Sequence, residues 1–258
     1  MTILMTVRPA LSYPWSRRCV EIETEKGALR IQLVTFEPGR QRDDAFEVWG
    51  ITMPPEIARS APRRKEEFFH GRIAARYAVA TNRRDDECAT TLFGPYSAEP
   101  VIGIGPHREP LWPEGFIGSI THCLGVAAAI AVPEGPQRGV GIDIEHVVAK
   151  PDAIAALLHV VIDATELECL RAVTTAWPFE LLLTLVFSAK ESFYKAAFAA
   201  VGRVFGFEAV RLHLIDAQRE VLGFIVAQPL GAVFSKGYSF EVKFAVTAPG
   251  TVLTSFIW

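Results

Sequence analysis

Apolar residues recur along this chain with two different periods, and each period predicts one kind of element. Phe69, Ile73 and Tyr77 are spaced by four, so they share one stripe of a helix predicted over residues 62–80. A second apolar repeat predicts a helix over residues 178–201, with a proline at its first turn. We therefore expect one long helix in each half of the chain.

Alternating or continuous apolar runs predict strands in most of the remaining chain. The first forty residues alternate enough, in RCVEIETEKG and ALRIQLVTF, to predict a strand or a hairpin. Further strands are predicted at residues 125–132, 139–147, 219–227, 238–247 and 251–258. Strands combined with one long helix in each half favour an α/β or α+β fold over an all-α or all-β fold.

Two segments interrupt this pattern. Residues 94–118 are rich in glycine and proline and predict a long loop, a kind of segment that is often functional. Residues 133–138 (PEGPQR) predict a turn or linker. We place the domain boundary there, which divides the chain into residues 1–136 and residues 137–258.

Composition narrows the classes of protein to which the chain can belong. Its 258 residues are 50% hydrophobic, and 26 basic residues stand against 29 acidic ones, so no general basic field predicts nucleic-acid binding. The longest apolar runs are far shorter than the ~18 residues of a membrane span, and the start of the chain lacks a signal-peptide pattern. Four widely spaced cysteines predict reduced thiols and no zinc site. We expect a cytoplasmic protein that does not bind membranes.

The stretch GVGIDIEHV at residues 139–147 places two carboxylates in an otherwise apolar strand. Alternation directs Val140, Ile142 and Ile144 to one face and Asp143 and Glu145 to the other, with the two acids about 7 Å apart at Cα. Such a face is either the solvated side of an edge strand or a site for Mg²⁺, which carboxylates hold together with water and phosphate. Spacing alone favours the solvated side.

The second predicted helix adds a third acid. Leu183, Phe187, Glu191 and Lys195 are spaced by four and share one stripe. Glu191 and Lys195 could form a surface ion pair worth a few tenths of a kcal/mol. In the other interpretation, Glu191 faces the acids of the strand, and Lys190 and Lys195 bind phosphate oxygens.

A cluster of basic residues and a single histidine each allow a structural and a functional interpretation. Eight Lys and Arg residues between Arg59 and Arg84 form either a solvated helix face or an anion-binding surface. His122 is isolated in GSITHC, and an isolated histidine is more often structural than catalytic. The sequence contains no nucleophile-elbow, P-loop or zincin motif.

Four segments resemble one enzyme family. Residues 139–147 and residues 187–196 (FSAKESFYKA) resemble the two signature motifs of the Sfp-type 4′-phosphopantetheinyl transferases, (V/I)G(I/V)D(I/V)E and WxxKE(S/A)xxK. Residues 63–76 (RRKEEFFHGRIAAR) and residues 107–123 (HREPLWPEGFIGSITHC) resemble the branch of the family associated with enterobactin synthesis. The motifs stand in the family's order, whereas the first and last fifty residues contribute little.

The resemblance implies a role for each matched position. Asp143, Glu145 and Glu191 match the metal-binding acids, with the carbonyl of Ile144 as a further ligand, and Glu191 matches the general base. The positions matched to coenzyme A are Lys190, Lys195 and His122 at its phosphates, Thr121 beside His122, Arg64 and Arg72 in its pocket, and His107, Arg108, Glu109 and Pro110 beside its nucleotide. Glu191, Lys190 and His122 carry the catalytic roles. Phe187, Thr121 and His107 depart from the usual Trp, Ser and Lys.

The resemblance also implies a fold and an activity. The fold is a pseudo-twofold pair of similar subdomains, each a small, mostly antiparallel sheet packed on a long helix, with coenzyme A in the cleft between them. The activity is Mg²⁺-dependent transfer of 4′-phosphopantetheine from coenzyme A to a serine of an acyl or peptidyl carrier protein, with release of 3′,5′-ADP by a monomeric enzyme.

Several alternatives stay open at this point. The chain could instead be a Mg²⁺-dependent hydrolase of the coenzyme A pyrophosphate, or a catalytically silent carrier-binding protein. Mn²⁺ could replace Mg²⁺, since both accept oxygen ligands. The carrier served could belong to fatty-acid, polyketide or nonribosomal peptide synthesis, the last including siderophores.

Overall fold

Two antiparallel sheets, each with a long helix against it, account for most of the structure. The computed structural model describes residues 2–7, 15–24, 27–41, 44–83, 100–173 and 177–258. The chain divides into two units, Met1–Arg138 and Gly139–Trp258. No helix in the described part of the chain is both long and apolar enough to cross a membrane.

The N-terminal unit contains one five-stranded sheet in the order β1-β2-β3-β7-β6 and a separate two-stranded β4-β5 ribbon. Its strands are β1 (Thr2–Val7), β2 (Trp15–Thr24), β3 (Gly27–Phe36), β4 (Gly103–Ile104), β5 (Pro110–Leu111), β6 (Phe116–Cys123) and β7 (Val126–Pro133). Its helices are α1 (Ala45–Val48), α2 (Pro55–Ala58) and α3 (Pro62–Arg83). All paired strands run antiparallel.

Helix α3 packs on this sheet through the apolar stripe that the sequence predicts. Phe69, Ile73 and Tyr77 are all buried in one hydrophobic cluster. The sheet contributes alternate alanines to the same cluster, Ala127, Ala129 and Ala131 of β7. Because these side chains are small, large residues of the helix fill the space above the strand.

The C-terminal unit repeats this plan with a second five-stranded sheet in the order β8-β12-β11-β10-β9. Its strands are β8 (Val140–His146), β9 (Val210–Asp216), β10 (Val221–Val226), β11 (Ser239–Ala248) and β12 (Thr251–Ile257), all paired antiparallel. Its helices are α4 (Pro151–Val160), α5 (Ala164–Val173) and α6 (Phe179–Val201). The α/β fold class, with a mostly antiparallel sheet and a long helix in each half, is thereby confirmed.

Helix α6 lies unusually close to the edge strand β8. A Cβ atom added at Gly141 would overlap the carbonyl oxygen of Ser192 and lie 2.7 Å from the backbone nitrogen of Ala196. A Cβ atom at Gly139 would meet the carbonyl oxygen of Ala196. The two glycines therefore allow backbone-to-backbone contact on the strand face that also carries Asp143.

The structure departs from the predicted elements in several regions. The predicted loop contains β4 and β5, and β6 begins at Phe116 within it, whereas residues 94–99 lie outside the described residues. Helices α1, α2, α4 and α5 and strand β9 were not predicted. Helix α4 fully buries none of its residues. Its half-buried residues Ile154, Leu157 and Leu158 stand at i, i+3 and i+4, a helical spacing within a short apolar run that periodicity alone does not separate from a buried strand.

The contact at Gly141 leads to a prediction about stability. Gly141→Ala should lower the free energy of unfolding by about 1–3 kcal/mol, because the added methyl group must displace helix backbone rather than a side chain. Urea denaturation of the variant would measure this loss.

Gly135→Ala is the matched control, since no described heavy atom lies within 4 Å of its added Cβ atom. Equal stability of the two variants would contradict the close contact between α6 and β8.

Candidate active site

In the C-terminal unit, Asp143 and Lys195 join strand β8 to helix α6. Asp143 is only 3% exposed, so the solvated-face interpretation of this position is wrong. The ammonium of Lys195 donates to Oδ1 of Asp143 at 2.6 Å and to the carbonyl oxygen of Ile142 at 3.2 Å. The covering helix removes water from the carboxylate and supplies a cation in its place.

Glu191 belongs to the same charged cluster. Burial raises the pKa of its carboxyl, the charge of Lys195 lowers it, and the charge of Asp143 raises it again. Lys195 makes its ion pair across to the strand with Asp143, one turn away from Glu191 on the helix. One ammonium thus acts on two carboxylates that repel each other.

Glu145 and Ile144 complete the predicted ligand set on β8. Glu145 is half-buried and follows Asp143 on the same strand face. The carbonyl of Ile142 points away from β12, toward Lys195, and alternate carbonyls of a strand point the same way. The carbonyl of Ile144 therefore lies on the same side of the strand as the ammonium.

The carboxylates and the carbonyl of this cluster suit a hard cation such as Mg²⁺. In the structure, the cation among them is the ammonium of Lys195. Among the described residues, no three His, Cys, Asp or Glu side chains are placed to hold a metal ion as they stand. Carboxylate and carbonyl oxygens are the ligands that Mg²⁺ takes in proteins. The ammonium beside Asp143 shows that the site accommodates a positive charge.

The structure places Lys190 away from this cluster, contrary to the expectation that it meets the phosphates of coenzyme A. Its side chain is 1% exposed and its ammonium lies 2.7 Å from Oε1 of Glu166. The same ammonium donates to the carbonyl oxygens of Val161 and Phe207. Consecutive residues of a helix point about 100° apart, so Lys190 and Glu191 face different surroundings.

In the N-terminal unit, several of the predicted coenzyme A residues line one cavity of about 190 Å³. Those that line it are Arg64, Arg72, Arg108, Pro110 and His122, together with Glu67, which sequence reasoning missed. The cavity therefore brings together three arginines and a histidine.

Glu67 links the basic residues of the cavity. Its carboxylate lies 3.4 Å from Nδ1 of His122 and 2.8 Å from Nε of Arg63. On the other side of the imidazole ring, Nη1 of Arg64 donates a short hydrogen bond to Nε2 of His122. This geometry fits the tautomer with its proton on Nδ1. In the sequence, Glu67 is an acidic residue within a basic helix, a pattern that usually indicates an ion pair on the surface.

Arg72 is a buried cation beside this group. Burial, and then the charge of Arg64, lower its pKa from the ordinary value to about 10, so it stays charged at neutral pH. It stacks 4.5 Å from the ring centre of Phe68 and donates to the carbonyl oxygen of Gly103 at 3.0 Å. Its Nε has no hydrogen-bond partner among the described residues. An anion in the cavity would supply one.

The remaining predicted residues divide between the cavity and its surroundings. Arg108 reaches the cavity from a left-handed backbone conformation, with φ of 68°, in the β4–β5 turn. Glu109 turns back and accepts from the backbone N–H of His107 at 2.8 Å, so neither side chain lines the cavity. Thr121 precedes His122 on β6 and is buried on the opposite face of the strand, away from this cavity.

Comparison with known proteins identifies the family. Residues 54–132 match the model of the 4′-phosphopantetheinyl transferase N-terminal domain, and residues 139–247 match that of the 4′-phosphopantetheinyl transferase superfamily. The two matches together cover well over half of the chain, and they contain every residue predicted for the site.

Individual relatives agree with these models. Enterobactin synthase component D of Salmonella typhi is 38% identical over 160 residues, which cover 62% of this chain and 59% of that protein. The protein of the same name from Salmonella austin is 43% identical over 139 residues, 54% of this chain and 50% of that protein. The 4′-phosphopantetheinyl transferase PptT of Mycobacterium tuberculosis is 31% identical over 163 residues, 62% of this chain and 64% of that protein.

The chain thus spans about three fifths of the length of the curated relatives it matches. Their names confirm the resemblance to the enterobactin-associated branch that the motifs indicate. With both family models matched and the motif acids gathered on β8 and α6, the chain belongs to the 4′-phosphopantetheinyl transferase superfamily.

Proposed function

We propose that this protein transfers the 4′-phosphopantetheine group of coenzyme A to a serine of an acyl or peptidyl carrier protein. The observation that carries the proposal is the charged cluster of buried Asp143 and half-buried Lys195 and Glu191, which stands at the motif positions of the superfamily. Relatives named as 4′-phosphopantetheinyl transferases and as enterobactin synthase components support it.

The acids of the C-terminal unit bind a metal ion in this proposal. Asp143, Glu145 and Glu191, with the carbonyl of Ile144, would hold Mg²⁺, which when bound offsets the charge of the pyrophosphate. Lys195 then leaves Asp143 for a phosphate oxygen. Its side chain is 26% exposed, so it has room to make this exchange.

Glu191 acts as the general base. Its raised pKa makes the ionised carboxylate a better proton acceptor than an ordinary one. It takes the proton of the carrier serine as the serine oxygen bonds to the phosphorus that carries pantetheine. The phosphoanhydride bond breaks, and 3′,5′-ADP leaves with the electron pair.

The cations of the N-terminal unit bind coenzyme A. Arg64, Arg72, Arg108 and His122 line one cavity, and the unpartnered Nε of Arg72 is suited to a phosphate oxygen. Their task is positioning and charge stabilisation, which supply most of the catalysis in phosphoryl transfer.

The proposed function leads first to a prediction about transfer itself. The protein mixed with Mg²⁺, coenzyme A and an apo carrier protein should increase the mass of the carrier by one phosphopantetheine, as measured by mass spectrometry. Asp143→Asn should reduce the rate about a hundredfold or more, because the carboxylate that binds the cation is lost while the side-chain shape is kept.

Asp152→Asn, an exposed change in the first turn of α4, is the control and should be fully active. No added mass with several different carriers would refute the proposal. Release of 3′,5′-ADP without a carrier would identify a hydrolase, and carrier binding without turnover a silent binder.

A second prediction concerns the N-terminal cavity. Arg64→Met should raise KM for coenzyme A about tenfold or more and leave kcat within about threefold, because a charged hydrogen bond to a phosphate contributes to binding before the reaction. Steady-state kinetics at saturating carrier would measure both constants. Arg59→Met changes an exposed arginine that does not line the cavity and should leave KM unchanged. An unaltered KM in Arg64→Met would remove Arg64 from the binding site.

A third prediction follows from the raised pKa of Glu191. A carboxyl whose pKa is higher in the folded state stabilises the fold when protonated, and that stability is lost as pH rises through the folded pKa. In metal-free buffer at pH ~7, Glu191→Gln should therefore raise Tm by about 2–4 °C. The gain should vanish below pH ~4, where the wild-type carboxyl is protonated as well.

Thermal denaturation across this pH range would measure the difference, and Glu168→Gln, on the exposed side of α5, is the control. The Glu191→Gln variant should also lose transfer activity. A gain in Tm that persists unchanged at low pH would contradict the assignment of the raised pKa.

A further inference from the structure

A buried carboxylate on helix α5 lies outside every motif discussed above. Glu166 is 2% exposed, and its carboxylate pairs with the ammonium of Lys190, whose side chain is 1% exposed. The ammonium lies 2.7 Å from Oε1 and 3.0 Å from Oε2. Such a pair has little access to solvent and is screened little by salt.

The contacts of Lys190 use its full donor capacity. An ammonium has three N–H donors, and those of Lys190 meet Glu166, the carbonyl oxygen of Val161 at 2.6 Å and that of Phe207 at 3.3 Å. No donor remains for a phosphate oxygen. Lys190 therefore ties α6 to the end of α4 and to the turn before β9.

Glu166 is equally well bound. Its carboxylate accepts from the backbone N–H of Asp163 at 2.9 Å and from that of Leu212 at 2.8 Å. In return, Oδ1 of Asp163 accepts from the backbone N–H of Glu166 at 2.9 Å, which completes a capping box at the start of α5. One carboxylate thus joins helix α5, strand β9 and, through Lys190, helix α6.

We propose that the Glu166–Lys190 pair positions helix α6 so that Glu191 faces the acids of β8, which makes both members positioning residues for the transfer reaction. This inference rests on the proposed function. Lys190 immediately precedes Glu191, so holding its ammonium at three points restricts both rotation of α6 and its sliding along its axis. Lys190 lies on the side of α6 that is anchored to Glu166, and Glu191 lies on the side that faces β8. Because the two residues are consecutive, anchoring Lys190 also fixes the direction of Glu191.

Single and double variants separate this role from the alternatives. Lys190→Met and Glu166→Gln each leave one buried charge without its partner, so each should lower Tm by about 10 °C. Each should lower kcat about tenfold, with KM for coenzyme A within about twofold. Hydrogen–deuterium exchange of the amides of residues 186–195 should accelerate in both.

The double variant Lys190→Met/Glu166→Gln carries neither charge and should recover more than half of the lost Tm and of the exchange protection, together with part of kcat. Lys236→Met, an exposed change in the same unit, should alter none of these quantities. If a single variant does not fold, Glu166→Asp replaces it, since its shorter carboxylate weakens the pair without removing the charge.

Three results would overturn the inference. A raised KM for coenzyme A in Lys190→Met at unchanged Tm, with no recovery in the double variant, would make Lys190 a phosphate ligand. A lowered Tm with normal kcat and normal exchange in residues 186–195 would leave the pair a purely structural role. Exchange that is the same in all variants would show that the pair does not position α6. Because exchange does not depend on turnover, it decides this point even if the wild-type protein transfers nothing.

Discussion

The approach of helix α6 to strand β8 is the contact on which the rest of the candidate site depends. Gly139 and Gly141 place no side chain between the two elements, and the helix backbone at Ser192 and Ala196 fills that space. The strand face that carries Gly141 also carries Asp143, so the contact brings the helix against a carboxylate. Charged side chains can then meet in a region from which water is largely excluded, where each interaction is stronger than on the surface.

The two lysines of the motif on helix α6 differ in their exposure to solvent and in the carboxylates with which they pair. Lys195 is 26% exposed and pairs with Asp143, so its ammonium keeps partial access to solvent. Lys190 is 1% exposed and its donors are all engaged, so moving it would leave a buried carboxylate without a partner. Helix α6 thus carries a partly exposed cation on the side that faces β8 and a buried cation on the side that faces α5.

Much of the fold and part of the site could be predicted from the sequence, for physical reasons that particular residues show. The stripe of Phe69, Ile73 and Tyr77 revealed α3 because a helix with one buried face must repeat near 3.6 residues. Helix α4 gave a weaker signal, because its half-buried residues Ile154, Leu157 and Leu158 lie within a short apolar run that periodicity alone does not separate from a buried strand. The D-x-x-E spacing of Asp163 and Glu166 is a readable capping signal, but the partner of Glu166 lies in a distant segment.

By itself, the sequence determined the strand alternation of β8, the helix that carries Glu191 and Lys195, and the family to which their motifs belong, because periodicity and motif spacing are local properties. Only the tertiary structure decided which charges meet. In the folded chain, a helix covers Asp143, Lys195 pairs with Asp143, and Lys190 pairs with Glu166. Glu67 lines the same cavity as His122, whereas Thr121 faces away from it. These outcomes depend on burial and on contacts between residues far apart in the chain, which no local pattern encodes.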